Sequence, residues 1–400
     1  MPVPVRRLLV AIATCFCLVA VGARADPPGP GNARAARTAR ASLLVAQARH
    51  DLRQLVAQLG NRALRRATVD AIENPATCIR HRAGLDDAGA AAIVAQLIAA
   101  HLLGDPAQAT DAPTRARLIG AVFPPVLDAG GACPHLPQPF YAAPGGDADG
   151  HHNWPGGLVV HTAFNTRLAQ ALARAYDHQT RLISDHDAVI AAALWHDWAK
   201  TLVFQWQADG REFAEVPLGG QGVADNAGLP GDSRTGAHHI LGLAEAMARG
   251  LPPGQVLVQA CAHASPTNNQ AWKLVNWLRA AALIARIDPV RQGYLRTDTS
   301  GRPALPTPPG GSWLAECLIH FQSDQNWVMA EPAARQADAV LAQLAGQFGY
   351  DPADTGRYRT AYRNVVLSQL GADHIQLRNQ RGGLAAVAAD LRRLRQRGII

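Results

Sequence analysis

Apolar residues return at three- and four-residue spacings along almost the whole chain, and that period restricts it to helices packed on helices. Leu44, Ala48, Leu52, Leu55 and Leu59 mark one such stripe, from Ser42 to Leu59. The same pattern predicts helices over residues 62–73, 87–103, 114–122, 158–176, 187–200, 237–249, 255–264 and 271–287. Four more are expected over about 313–329, 332–348, 353–370 and 383–397. Asp86 or Asp87, and Asp187, stand where N-caps are expected. Residues 202–207 and 211–216 flank Asp209-Gly210 and read as a small β-hairpin. Residues 124–150 and 219–236 are loop sequence. The expected class is all-α: a helical bundle with a minor β-hairpin and extra N- and C-terminal helices.

The first 25 residues read as a cleaved export signal. Arg6 and Arg7 precede an apolar run from Leu8 to Val21, and Ala23-Arg24-Ala25 is a small-x-small cleavage pattern. The run is 14 residues, short of the roughly 20 that span a bilayer. No other segment is long and apolar enough to cross one, so a periplasmic or secreted protein without a membrane span after cleavage is expected. The rest divides into an N-terminal helical region (26–149), a core (150–296), a Pro/Gly-rich connection (297–312) and a C-terminal helical region (313–400).

Losing Arg6, Arg7 and Arg24 with the signal lowers the formal charge from +7 to +4, which is no strong signal for nucleic acid. Nearly all the basic residues are Arg; Lys200 and Lys273 are the only lysines, so a lysine inside a motif carries weight. Cys78 and Cys133 lie in loop sequence where a disulfide can form, whereas Cys261 and Cys317 sit in apolar helical patterns and read as buried thiols. Nothing in the sequence sets an oligomeric state.

The feature that carries chemistry is Trp195-His196-Asp197-Trp198-Ala199-Lys200, at the end of an apolar helix. Adjacent imidazole and carboxylate groups are costly to bury unless a cation pairs them, and both are good ligands for first-row divalent metals. A second such pair, His186-Asp187, starts a helix and is explained by capping. Around the first pair stands an ordered series. Upstream is His151-His152-Asn153-Trp154-Pro155-Gly156-Gly157-Leu158-Val159-Val160-His161-Thr162. Downstream come His238-His239, Cys261-Ala262-His263 and Ile287-Asp288.

The order His161, His196-Asp197, Asp288 resembles the HD superfamily of metal-dependent phosphohydrolases. His238 and His263 are similar to the added ligands of its two-metal branches, among them the HD-GYP and exoribonuclease-like types, and the run over 151–162 is especially like the latter. The resemblance implies an HD-domain helical bundle. It also implies divalent metal ions, two as in those branches, drawn from Mn, Mg, Fe, Ni or Co. His161, His196, Asp197 and Asp288 would hold the first, with Asp197 bridging to a second held by His238 and His263. His238 is preferred over His239 because Gly242 follows it by four residues. Asp197 and Lys200 would take part in catalysis, with Lys200 and His152 contacting a phosphoester or nucleotide substrate that a metal-activated water attacks. Trp198 departs from the family pattern, where a smaller residue is usual. A large ring there could obstruct a substrate, which keeps open a non-catalytic periplasmic metal- or ligand-binding module. An HD-type di-iron oxygenase is a third reading. His320 has no ligand-like context in the sequence.

Overall fold

A computed structural model describes residues 29–400, apart from 78, 105–111, 128–132, 149, 180–181, 184, 214, 221–222, 225–229, 268 and 309–310. The export signal read over residues 1–25 lies outside the described residues, as does Cys78; Cys133 is disulfide-bonded. The fold is all-α. Among the described residues, fourteen helices of seven or more residues are α1 (Asn32–Arg40), α2 (Leu43–Ala57), α3 (Arg62–Glu73), α4 (Asp87–Ala99), α5 (Ala112–Val122), α6 (Gly157–Gln179), α7 (His186–Trp195), α8 (Ala237–Ala248), α9 (Pro253–Ala260), α10 (Ala271–Ala285), α11 (Leu314–Asp324), α12 (Trp327–Leu344), α13 (Asn364–Leu370) and α14 (Ala372–Gln396). None of them is long and apolar enough to cross a membrane.

Side-chain caps set several of the starts. Ser42 accepts from Val45 N, Asn61 from Ala63 N and Leu64 N, and Asp86 from Gly89 N, each satisfying donors that the first turn leaves free. Helix α7 is capped by Asp185, which accepts from Ala188 N, and not by Asp187. Asp187 instead accepts from Gly60 N and Asn61 N, pinning the α2–α3 turn to α7.

Among the described residues, strand is confined to two-residue pairs. Leu103–Gly104 runs parallel to Gly219–Gly220; Val223–Ala224 pairs with Pro230–Gly231, and Arg296–Thr297 with Pro303–Ala304, both antiparallel. The expected hairpin is shorter than its sequence pattern. Gly210, at φ +83°, makes the turn and Trp206 bridges Glu212, but Lys200–Val203 is a helical turn that continues from α7.

Two large apolar clusters form. The first joins α2–α5 to α6–α10 and includes Trp195, Trp198 and Trp277. The second is built by α12–α14 and takes in Trp154 from the loop before α6. Arg363 reinforces that junction. It is buried, donates to the carbonyl and Oδ1 of Asn153, and pairs with Asp338. The C-terminal helices thereby hold the loop that carries His151 and His152.

Candidate metal centre

Helix α6 opens at Gly157 under tight backbone constraints. Gly156 has φ +90°, a conformation that favours glycine. A Cβ at Gly157 would come 1.8 Å from the carbonyl oxygen of His152. The paired glycines let the His151–His152 loop fold back on the helix start, and the next turn delivers His161 to the interior.

Helices α6, α7 and α11 pack together, and their polar side chains meet in the middle. His161 Nε2 and His196 Nε2 are 3.3 Å apart. Each lies 3.2 Å from Asp197 Oδ2 and 3.2 Å from Asp324 Oδ1. All four side chains are nearly or wholly buried. His196 Nδ1 lies 2.9 Å from the carbonyl oxygen of Ala193, which accepts its proton and leaves Nε2 free to face the carboxylates. Asn165, one turn after His161, donates to Asp324 Oδ1.

Asp197 also faces a second group. Its Oδ1 is 3.4 Å from His238 Nε2, and Asp197, His238 and His263 place ligand atoms within 4.8 Å of one another. His238 Nδ1 meets Glu215 at 2.9 Å, and its backbone N–H donates to the same carboxylate. Thr235 Oγ1 lies 2.9 Å from His263 Nδ1. His239 turns away, stacked on His263 and edge-on to Trp277.

Asp288 is not brought to this cluster. Helix α10 packs chiefly on α8. Arg286, at φ +51°, ends α10, and Asp288 lies in the turn beyond, accepting from Val290 N and Arg291 N. These bonds hold its carboxyl below the usual range, with the charge of Arg291 adding to the effect. Asp324 takes the place expected of it. His320 and Asp324 lie one helical turn apart on α11, and the His320 ring stands edge-on to His196 at 5.2 Å. That i, i+4 pair was the available sequence signal for α11.

A cavity of about 460 Å³ opens onto the cluster, lined by His151, Asp197, Lys200, His238, His263, Asp324 and neighbours. Lys200 is buried, its Nζ 2.7 Å from Asp197 Oδ2 and donating to the Gly145 carbonyl. His152 does not line the cavity. It is a buried residue at φ +54°, its ring against Trp154 and its Nδ1 2.9 Å from that of His151, which does line it. Trp198 is also turned away: its Nε1–H donates to the Ala71 carbonyl, and Arg249 covers its ring. The obstruction expected of it does not arise.

The electrostatics match the geometry. Burial opposes charge on Asp197 and Asp324, yet His196 beside both, with Lys200 on Asp197, holds the two carboxyls well below their ordinary range. Burial likewise opposes positive charge on His196, but the same carboxylates outweigh it and raise it to about 10, so they draw to Nε2 either a proton or a cation in its place. Burial lowers His320 to about 3, with His196 adding to the effect.

The residues fit divalent cations on one observation in particular. With its Nδ1 proton committed to Glu215, His238 presents a lone pair at Nε2, and that buried atom has no hydrogen-bond partner. A cation between it and Asp197 would satisfy both.

The Cys261–Cys317 disulfide overturns the expectation of two buried thiols. It joins the end of α9, two residues before His263, to the turn of α11 that precedes His320. No family model, curated protein or solved structure matches this chain.

Proposed function

We propose that this chain is an HD-type, metal-dependent phosphohydrolase that works with two divalent cations. The observation that carries this reading is the position of Asp197, whose two oxygens face two separate donor groups, with Lys200 alongside. His161, His196 and Asp324 would hold one cation, and His238 and His263 the other, with Asp197 between them. Such cations supply acidified water and offset negative charge on phosphoryl oxygens.

The chain's own groups do the rest. Glu215 and the Ala193 carbonyl fix the imidazole tautomers that leave each Nε2 available. Lys200 keeps a fixed positive charge at the cavity wall for a phosphoryl oxygen. His151, rather than His152, lines the cavity and would face a bound ester. Hydrolysis breaks the bond from phosphorus to the leaving oxygen and forms one to the oxygen of water, and the water's proton ends on the leaving alcohol. The disulfide supports an exported protein, since such bonds persist in oxidising compartments.

The test is metal analysis together with hydrolysis of bis(p-nitrophenyl) phosphate under Mn, Mg, Co and Ni. Asp197→Ala is expected to lose bound metal and to drop hydrolysis to background. Full activity in that variant would end the reading.

A further inference from the structure

Beyond its donors, the cavity changes character. The remainder of its wall is Ala262, Phe321, Gln325 and Trp327. Among the described residues, Lys200 is the one Lys or Arg that lines the cavity, and it is already paired with Asp197. Trp327 is 41% exposed and opens a run of three consecutive apolar residues facing solvent, with Val328 at 50% and Met329 at 76%. Exposed apolar residues scattered singly need no explanation, but a contiguous run beside a polar cavity does.

The chain path puts Trp327 there. The spacing predicted a helix running on to 329, but α11 stops at Asp324 and α12 starts at Trp327. The corner between them carries Gln325 and Trp327 to the cavity wall.

Resting on the phosphohydrolase reading, we propose that the substrate is an ester with a single phosphoryl group and an apolar organic group. The phosphoryl group lies toward Lys200 and the donors, and the apolar group along Phe321 and Trp327. A polyphosphate fits poorly, because its outer phosphates would meet this apolar wall with no further cation to pair them. A sugar-like group fits poorly too, since its several hydroxyls would lose water and find, among the described residues of this wall, only the Gln325 amide and the Trp327 indole N–H as partners. Each methylene that lies against the wall strengthens binding by up to about fourfold.

The experiment measures calorimetric binding of n-decylphosphonate, below its micellar concentration, and of methylphosphonate to the metal-replete full chain, alongside phosphate release from n-decyl phosphate. The decyl compound is expected to bind at least about 30-fold tighter. Trp327→Ala should cut that ratio by about tenfold, with circular dichroism to check the fold. Gln325→Leu, which extends the apolar wall, should raise it. A ratio near one, a ratio untouched by Trp327→Ala, or displacement of decylphosphonate by equimolar ATP would overturn the proposal. The two readings fail separately. A retained ratio without phosphate release removes the hydrolase assignment and keeps the apolar wall; phosphate release with a ratio near one does the reverse.

Discussion

The two donor groups that share Asp197 are built differently. His161, His196 and Asp324 come from three helices packed side by side, and their side chains are almost wholly removed from solvent. His238 sits at the start of α8 and the exposed His263 in a turn after α9, and both are aimed by residues of the intervening loops, Glu215 and Thr235. One group is held by core packing and contributes two carboxylates. The other is held by hydrogen bonds and contributes only the shared one. A buried pair of carboxylates draws a divalent cation far more strongly than a single carboxylate beside an open wall. On the two-cation reading, the first group would therefore be the tight site and the second the adjustable one.

The largest expected effect breaks the first group. Asp324→Ala should remove one cation per chain and lower phosphoester hydrolysis by about a thousandfold, since it takes away a ligand and leaves two imidazoles facing one carboxylate. Asp288→Ala should stay within about twofold, because that side chain only caps a surface turn. Metal content by mass spectrometry and kcat for the two variants decide it. A loss in Asp288→Ala with Asp324→Ala unaffected would mean that α10, not α11, completes the centre.

A smaller effect sharpens the contrast. Glu215→Gln keeps the size of the side chain but weakens the hold on the His238 tautomer. Affinity for the second cation should fall about 10–100-fold, the usual cost of losing such a partner, while the first cation stays bound. Competition titration with a chelator resolves the two steps. A simultaneous loss of both would show that the groups are not independent.

The same contrast accounts for what could be read from the chain. Helical periodicity made the all-α class legible, and local motifs flagged His161, His196-Asp197, Lys200, His238 and His263. Each lies near a helix end beside apolar residues, so neighbours in sequence carried the signal. The glycines at 156 and 157 belong to the same local code, since one backbone angle and one close approach explain them. Asp324 was not legible in this way. Asp288 and Asp324 both close an apolar helix. Beyond the His320–Asp324 spacing, what distinguishes them is the packing of α11 on α6 and α7, at a separation of more than 150 residues from His161. The Cys261–Cys317 disulfide and the Glu215–His238 bond are contacts of the same kind, set by tertiary packing that no short window contains.

The smallest effect lies outside both groups, in the hairpin just ahead of Glu215. Glu212 is buried and its Oε1 has no hydrogen-bond partner. Burial raises its carboxyl to about 8, with Arg363 and Arg359 opposing and Asp147 adding to the rise. The folded protein thus binds a proton on Glu212 that the unfolded chain releases near pH 4.5. Between those values the native state holds more protons than the unfolded one, so stability falls as pH rises, and the loss is complete above about pH 8. Glutamine cannot ionise and fills the same space. Glu212→Gln should therefore match the parent at pH 4 and exceed it by on the order of 1–3 kcal/mol at pH 8, with a flatter melting-temperature profile between. Thermal denaturation across that range tests it. If the donor groups are set by helix packing and by Glu215, metal content should not follow this slope. A loss of the second cation in step with Glu212 ionisation would tie the hairpin to the adjustable site.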